Sequence, residues 1–303
     1  AYGMGLWCVG GFWLYTAIHD YSDTPTWLAL IMIALMGLGM GLFHGLLALV
    51  FNRMVGKQPF SFAALWVLQE WLKTWLFTGF PWLFVGYAFT EEYWLSSLAP
   101  VAGVFAVSFV AILLAASLVE LLLRRSSYAV VSVLLLAIST SLWLVNPQWT
   151  KPKGTPDLSV SLIQGNISQD IKWLTKYQVE TLKIYAKLTR TEWGRDVVVW
   201  PESSIPMFQD EAAGFISEMI EMANATNTTW ITGIPYKDKA AFNASTDKYP
   251  PFYNSVIARG VEAEGLYKKQ RLVPFGEYIP FEGVLDIFPS LAGSQDIKSY
   301  SRG

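Results

Sequence analysis

Apolar residues fill the first half of the chain in long, nearly uninterrupted runs, and the pattern changes period after Pro147. Five runs stand out: Tyr2–Ile18, Trp27–Phe51, Phe62–Phe77, Leu98–Leu123 and Tyr128–Val145. A helix of about 20 apolar residues reaches across a hydrocarbon core of roughly 30 Å, so each run predicts a membrane-spanning helix. The third carries Glu70 and Lys73, three apart and so on one helical face, which must turn away from lipid; they are read as a structural pair. His44 is expected to pack against another span. Asn146–Asp157, with Pro147, Pro152, Gly154 and Pro156, reads as a linker. Beyond it, Leu158–Ile163 alternates as a strand and Tyr177–Trp193 has helical spacing at Val179, Leu182, Tyr185 and Leu188. Asp196–Trp200 is a short strand of the fully buried type, Ala212–Ala223 a helix, and Thr229–Ile234 and Ser255–Arg259 further strands. Strands alternating with helices predict a layered α/β domain.

Composition sharpens this division. Over 303 residues the hydrophobic fraction is 53% and the mean hydropathy +0.34, with the excess in the first half. The first run lacks the basic start and small-residue cleavage site of a signal peptide. Arg53 and Lys57 follow the second run and Arg124 and Arg125 follow the fourth, whereas His19–Thr26 and Gly79–Ser97 hold Asp20, Asp23, Glu91 and Glu92 with no Lys or Arg. Basic loops stay in the cytoplasm, so everything after Asn146 is expected outside it. The net charge of −2 comes with no basic stripe, which argues against nucleic acid. Cys8 is the sole cysteine, and the two histidines, His19 and His44, lie in the apolar half. No internal disulfide, cysteine metal cluster or histidine metal site in the second half is expected, and no cofactor.

Two segments carry candidate chemistry. The β-run Val197-Val198-Val199-Trp200 delivers Glu202 just as the chain turns at Pro201. Strand ends in α/β folds aim side chains at ligands. Beside Trp and Pro a carboxyl is expected to have a raised pKa and to suit a general base, the alternative being an acid that starts a helix. Gly265–Tyr278 sets Lys268, Lys269 and Arg271 beside the turn Pro274-Phe275-Gly276 and a second carboxylate, Glu277. A lysine there suits oxyanion stabilisation; the alternative is a solvated basic loop. Tyr253-Asn254-Ser255 reads as an edge strand. Thr78-Gly79-Phe80-Pro81-Trp82-Leu83 reads either as interfacial anchors or as a lipid-facing mouth.

Together, Trp200-Pro201-Glu202, Tyr267-x-Lys269-x-x-Leu-Val-Pro-Phe-Gly-Glu277 and Thr78-Gly-Phe-Pro-Trp-Leu83, with Gln164-Gly165-Asn166-Ile167 and Lys172-Trp173, make a chain that resembles the bacterial apolipoprotein N-acyltransferases. The resemblance implies a multi-span α-helical membrane bundle (1–146, about five spans), a linker (147–157) and an extracytoplasmic nitrilase-like domain (158–303). That domain would be an αββα sandwich, incomplete at its C-terminus. It implies a Glu-Lys-Cys triad with Glu202 as base, Lys269 for the oxyanion, and Glu277 in support. Trp173 matches a tryptophan near the family's site, and Tyr253, Asn254 and Trp82 are carried as candidate substrate contacts. No cysteine of this chain fits the nucleophile, since Cys8 has the wrong context. The chain is therefore expected to be an internal piece of a longer enzyme, inactive by itself.

The activity so implied is the last step of lipoprotein maturation. A phospholipid, with phosphatidylethanolamine expected, acylates the thiol, and the thioester passes its acyl group to the α-amine of a diacylglyceryl-cysteine on an apolipoprotein. The expected setting is the bacterial inner membrane, multi-pass, with the catalytic domain periplasmic and the protein a monomer. Two other readings remain: a membrane-tethered nitrilase-type amidase, and a non-catalytic lipoprotein-binding protein with a degenerate nitrilase domain.

Overall fold

The computed structural model describes residues 1–20, 24–76, 79–91, 93–123, 127–145, 147, 149–151, 154, 158–243, 249–261, 263–273, 277–278 and 300–301. The Arg124-Arg125 turn, most of the linker and the Pro274-Phe275-Gly276 turn lie outside these residues. The chain folds as two units, Ala1–Lys153 and Gly154–Gly303.

The first unit is helical: α1 (Tyr2–Gly10), α2 (Thr26–Arg53), α3 (Pro59–Leu72), α4 (Tyr93–Ser96), α5 (Ala99–Leu122) and α6 (Ser127–Val145). Among the described residues, two helices are long and apolar enough to cross a membrane, Thr26–Arg53 and Ala99–Leu122. The fifth run forms the single helix α6, whereas the first and third are interrupted. The first ends as a helix at the Gly10-Gly11 pair, and its 9 residues reach only about 13 Å. The third stops at Leu72. Even α5 has non-helical backbone at Ala102 and at Gly103, where φ is +68°. Glycine also sets the packing of α1 on α2. A Cβ on Gly41 would lie 2.9 Å from the backbone nitrogen of Met4, so the two backbones approach more closely than side chains permit.

Glu70 and Lys73 are both buried, but no direct ion pair joins them. Glu70 Oε1 accepts hydrogen bonds from Trp66 Nε1 at 3.0 Å and the Val85 N–H at 2.8 Å. Lys73 Nζ lies over the rings of Trp7 at 5.1 Å and Phe84 at 5.6 Å. The two charges thus interact but have different direct partners, Trp66 and the Val85 N–H for Glu70 and the rings of Trp7 and Phe84 for Lys73.

The second unit is a five-stranded mixed sheet in the order β1 (Val160–Leu162), β2 (Val197–Val199), β3 (Thr229–Lys237), β4 (Phe252–Gly260) and β5 (Ala263–Lys268). The first three strands are parallel, and the last two pairings are antiparallel. Helices α7 (Gln169–Lys172) and α8 (Thr175–Thr189) link β1 to β2, and α9 (Ala213–Ala225) links β2 to β3. Val198, Trp200, Trp230, Ile234 and Ile257 point from one sheet face into a core with Leu182 and Tyr185 of α8 and Met219 and Ala223 of α9. The opposite face leaves Leu162 (77%) and Tyr267 (56%) well exposed. Strand alternation thus separates a helix-covered face from an open one.

Candidate active site

Glu202 sits at the C-terminal end of the parallel strands. Trp200 N–H still pairs with Ile231 O at 2.8 Å, after which the chain turns at Pro201. Ser203 has φ +49°, a left-handed conformation that costs a non-glycine residue energy. Its neighbours hold it there. Ser204 is fully buried and its hydroxyl bonds Thr232 Oγ1 at 2.8 Å, while Ile205 N–H donates to Gly233 O at 3.2 Å. Gly233 lets β3 approach this turn, because a Cβ there would lie 2.7 Å from Glu202 Cα. Trp200, with 2% exposure, stacks on Tyr185 and donates its Nε1 hydrogen to Thr189 Oγ1 at 2.9 Å. It belongs to the core beneath α8 and not to the setting of Glu202.

Asn254 near the start of β4 and Lys269 just after β5 reach the open face together. Their backbones are joined by Lys269 N–H to Asn254 O at 2.8 Å. Lys269 Nζ lies 3.0 Å from Glu202 Oε1 and 2.9 Å from Glu277 Oε1. Asn254 Nδ2 donates to the same two oxygens, at 2.5 Å and 2.6 Å. Glu277 is further fixed by Val273 N–H on its Oε2 at 2.7 Å and by Tyr300 N–H on its carbonyl at 2.8 Å. Lys172, at the end of α7, donates to the Glu202 carbonyl at 3.2 Å. A cavity of about 500 Å³ opens beside this cluster, lined by Glu202, Asn254, Lys269, Val256, Tyr267 and Arg271 among others.

The electrostatics differ from the sequence expectation. Burial pushes the Glu202 carboxyl up, but the Lys269 and Asn254 hydrogen bonds, with the charges of Lys269 and Lys172, outweigh it and hold it below the ordinary carboxylate range. The expected raised value rested on Trp200 and Pro201 as apolar neighbours, and the turn points Glu202 at donors instead. Burial pulls Lys269 down, and its bonds to Glu277 and Glu202 more than reverse this. Lys172 is lowered by burial, partly offset by Glu202. Burial, with the charges of Glu277 and Glu202, pushes the Tyr300 phenol up to about 12. The cluster thus offers an ionised carboxylate able to take a proton and an ammonium able to face a developing oxyanion.

Glu202, Lys269, Glu277 and Asn254 therefore converge. Trp173 is exposed next to Lys172, whose Nζ lies 5.7 Å from its ring. Tyr253 does not join them. It takes the other face of β4, where Lys268 Nζ sits over its ring at 4.3 Å and pairs with Asp238 at 2.6 Å. Trp82 belongs to the first unit, against Trp13 at 4.9 Å between ring centroids. Lys172 and Tyr300 had not been singled out for this cluster. The position of Lys172 beside Trp173 was the available signal; Tyr300 had none. Among the described residues no group of His, Cys, Asp and Glu is placed to hold a metal.

Residues 1–117 match the family described as apolipoprotein N-acyltransferase N-terminal domain, and residues 159–296 match carbon-nitrogen hydrolase. Curated relatives named apolipoprotein N-acyltransferase include one from Pseudomonas syringae, 36% identical over 294 residues, covering 94% of this chain and 56% of that protein. One from Azotobacter vinelandii is 38% identical over 296 residues, with 94% and 56% covered. One from Vibrio parahaemolyticus is 32% identical over 318 residues, covering 100% of this chain and 60% of its own length. The chain thus spans a little over half the length of these relatives. Both units are matched in order, and over nearly all 303 residues the chain is similar to the apolipoprotein N-acyltransferases.

Proposed function

We propose that this chain supplies the base, the oxyanion cation and a membrane-embedded bundle of about five apolar segments to an enzyme that N-acylates apolipoproteins. A phospholipid, phosphatidylethanolamine in this reading, is the acyl donor. The observation that carries the proposal is the convergence of Glu202, Lys269 and Glu277, separated by up to 75 residues, at the sheet end. Glu202 takes the proton of a cysteine thiol, and the thiolate attacks the sn-1 ester carbonyl. Lys269 faces the oxyanion. On collapse the C–O bond breaks, Glu202 returns its proton to the leaving alkoxide, and a thioester and lysophospholipid result. In the second half the α-amine of a diacylglyceryl-cysteine attacks the thioester, losing a proton to Glu202, and the thiol is released with the amide. In this reading the thiol is not that of Cys8, which lies in α1 of the first unit with its Sγ 4.0 Å from Ile33 O. Lipid-anchored substrates account for pairing such a site with so apolar a unit.

The test is acyl-enzyme formation by the gene product that carries this chain, incubated with alkyne-labelled phosphatidylethanolamine. A hydroxylamine-sensitive labelled band is expected, and Glu202→Gln is expected to reduce its rate of formation by about 10² to 10⁴-fold. A band that forms equally fast in Glu202→Gln removes Glu202 from the base role. Hydrolysis of a soluble amide without any lipid label would favour the tethered amidase instead.

A further inference from the structure

The candidate site contains two carboxylates and one ammonium in mutual contact, an arrangement that is electrostatically uneven. Glu202 Oε1 and Glu277 Oε1 both lie within reach of the same Lys269 nitrogen, at 3.0 and 2.9 Å. Two carboxylates this close oppose each other's ionisation, and one shared cation is divided between them. Asn254 answers this with a second donor nitrogen on the same two oxygens, at 2.5 and 2.6 Å. The four atoms form a closed ring in which each oxygen receives one charged and one uncharged donor. Both oxygens are pure acceptors when ionised, so the amide must present its NH₂. Asn254 is itself buried, at 6% exposure, and its carbonyl takes the Lys269 backbone N–H, so it is held by the strand that also places the lysine.

We propose that Asn254 is a positioning residue: as an uncharged donor shared by Glu202 and Glu277, it holds the two carboxylates together and keeps Glu202 ionised and free to accept a proton. The inference rests on reading Glu202 as the base. It reassigns Asn254 from substrate contact to internal support, since its NH₂ is engaged by both carboxylates. Among the described residues, the charged and titratable groups around Glu202 are Lys172 from α7, Lys269 after β5, Glu277 and Tyr300, with Tyr267 and Arg271 lining the same cavity. Among the described residues, an uncharged donor leaves Lys269 as the one cation bonded to both carboxylates, available to a new oxyanion. A second ammonium in its place would compete for them.

The sign of the effect follows. Removing the amide removes a hydrogen bond that favours the charged form of Glu202 and leaves burial opposed by Lys269 and Lys172. The acid limb of the rate–pH profile must then move to higher pH. Thioester formation by the gene product is measured from about pH 5 to about pH 9 for the parent, Asn254→Leu and Asn254→Asp. In parallel, the infrared carboxyl band that disappears in Glu202→Gln is titrated. Both Asn254 variants are expected to lose on the order of tenfold on the acid side and to recover to within several-fold of the parent on the alkaline side. The aspartate, of the same shape but with a third negative charge, should shift further and carries the test if the leucine variant does not accumulate. Equal loss at every pH, with limb and band unmoved, would overturn the inference and leave Asn254 a packing residue. If no thioester forms in any protein while the band moves upward in both variants, Asn254 keeps its hold on the pair and the acyl-transfer reading falls.

Discussion

At the scale of single residues, the site turns on which face of a strand a side chain takes. Lys268 and Lys269 are adjacent, chemically identical and both paired to carboxylates, yet alternation sends them to opposite faces of the sheet. Lys269 meets Glu202 and Glu277, whereas Lys268 meets Asp238 beside the rings of Tyr236 and Tyr253. Lys269→Ala should therefore slow thioester formation by about 10² to 10³-fold, as expected for loss of an oxyanion donor. Lys268→Ala removes a partly exposed ion pair and should leave most turnover, at a stability cost near 1 kcal/mol or below. The measurement is initial acylation rate against denaturation midpoint for each protein, and equal rate losses in the two would contradict the register. The turn at Pro201, with Ser203 at φ +49°, explains the misplaced environment of Glu202. Trp200 lies two residues before the carboxylate in sequence but in the core under α8. Its apolar bulk therefore says nothing about the charge state of Glu202, which donors on the other face decide.

Among elements, what was legible in the sequence was the period, and what was hidden was interruption. The alternation at Leu158–Ile163 and the helical spacing from Tyr177 both mark real elements, β1 and α8, with ends shifted by a few residues. β5 was not anticipated, because Glu264 and Gly265 break the look of a strand in Ala263–Lys268. An antiparallel partner, β4, supplies the ladder that its own composition does not promise. In the apolar half, hydropathy averaged over a run does not register the Gly10-Gly11 turn or the end of α3 at Leu72. Glu202, Lys269 and Glu277, which meet in the structure, could be singled out because each stands in a compact motif. The contact of Asn254 with the two carboxylates could not be, since its partners lie 52 and 23 residues away. Interhelical fit supplies a test at this scale. A Cβ on Gly41 would crowd Met4 N and the Gly3 carbonyl carbon, whereas one on Gly39 meets nothing within 4 Å. Gly41→Ala should cost about 1–3 kcal/mol through separation of α1 from α2. Gly39→Ala should be neutral or stabilising by up to about 1 kcal/mol. Unfolding of the two variants in detergent distinguishes them, and equal midpoints would mean that the close approach does not set the packing.

For the whole molecule, the separation into an apolar unit and an α/β unit makes orientation the decisive property. A base, a lysine and a cavity are of use to an acyl transfer between lipid-anchored substrates only on the side of the bilayer where those substrates present their head groups. The charge pattern bears on that side: Arg53 and Lys57 follow α2, while Asp20 and Glu91 lie in loops without Lys or Arg. If positive loops are retained in the cytoplasm and each apolar run crosses, the end of α6, and with it the unit Gly154–Gly303, is expected on the other side. Two exposed lysines report the two sides: Lys57, between α2 and α3, and Lys239, beyond β3. With Cys8 replaced by Ser, and labelling scored as the gain over the enzyme carrying that replacement alone, Lys57→Cys should react with a membrane-impermeant maleimide only after spheroplasts are lysed. Lys239→Cys should react in intact spheroplasts at the same rate as after lysis. The reverse labelling pattern would place Glu202 and Lys269 in the cytoplasm, facing the wrong leaflet for a substrate displayed at the outer surface. Labelling of both cysteines before lysis would mean that an odd number of crossings does not separate Lys57 from the second unit, leaving a bundle of fewer crossings, with one or more of the interrupted apolar runs packed inside it instead of crossing.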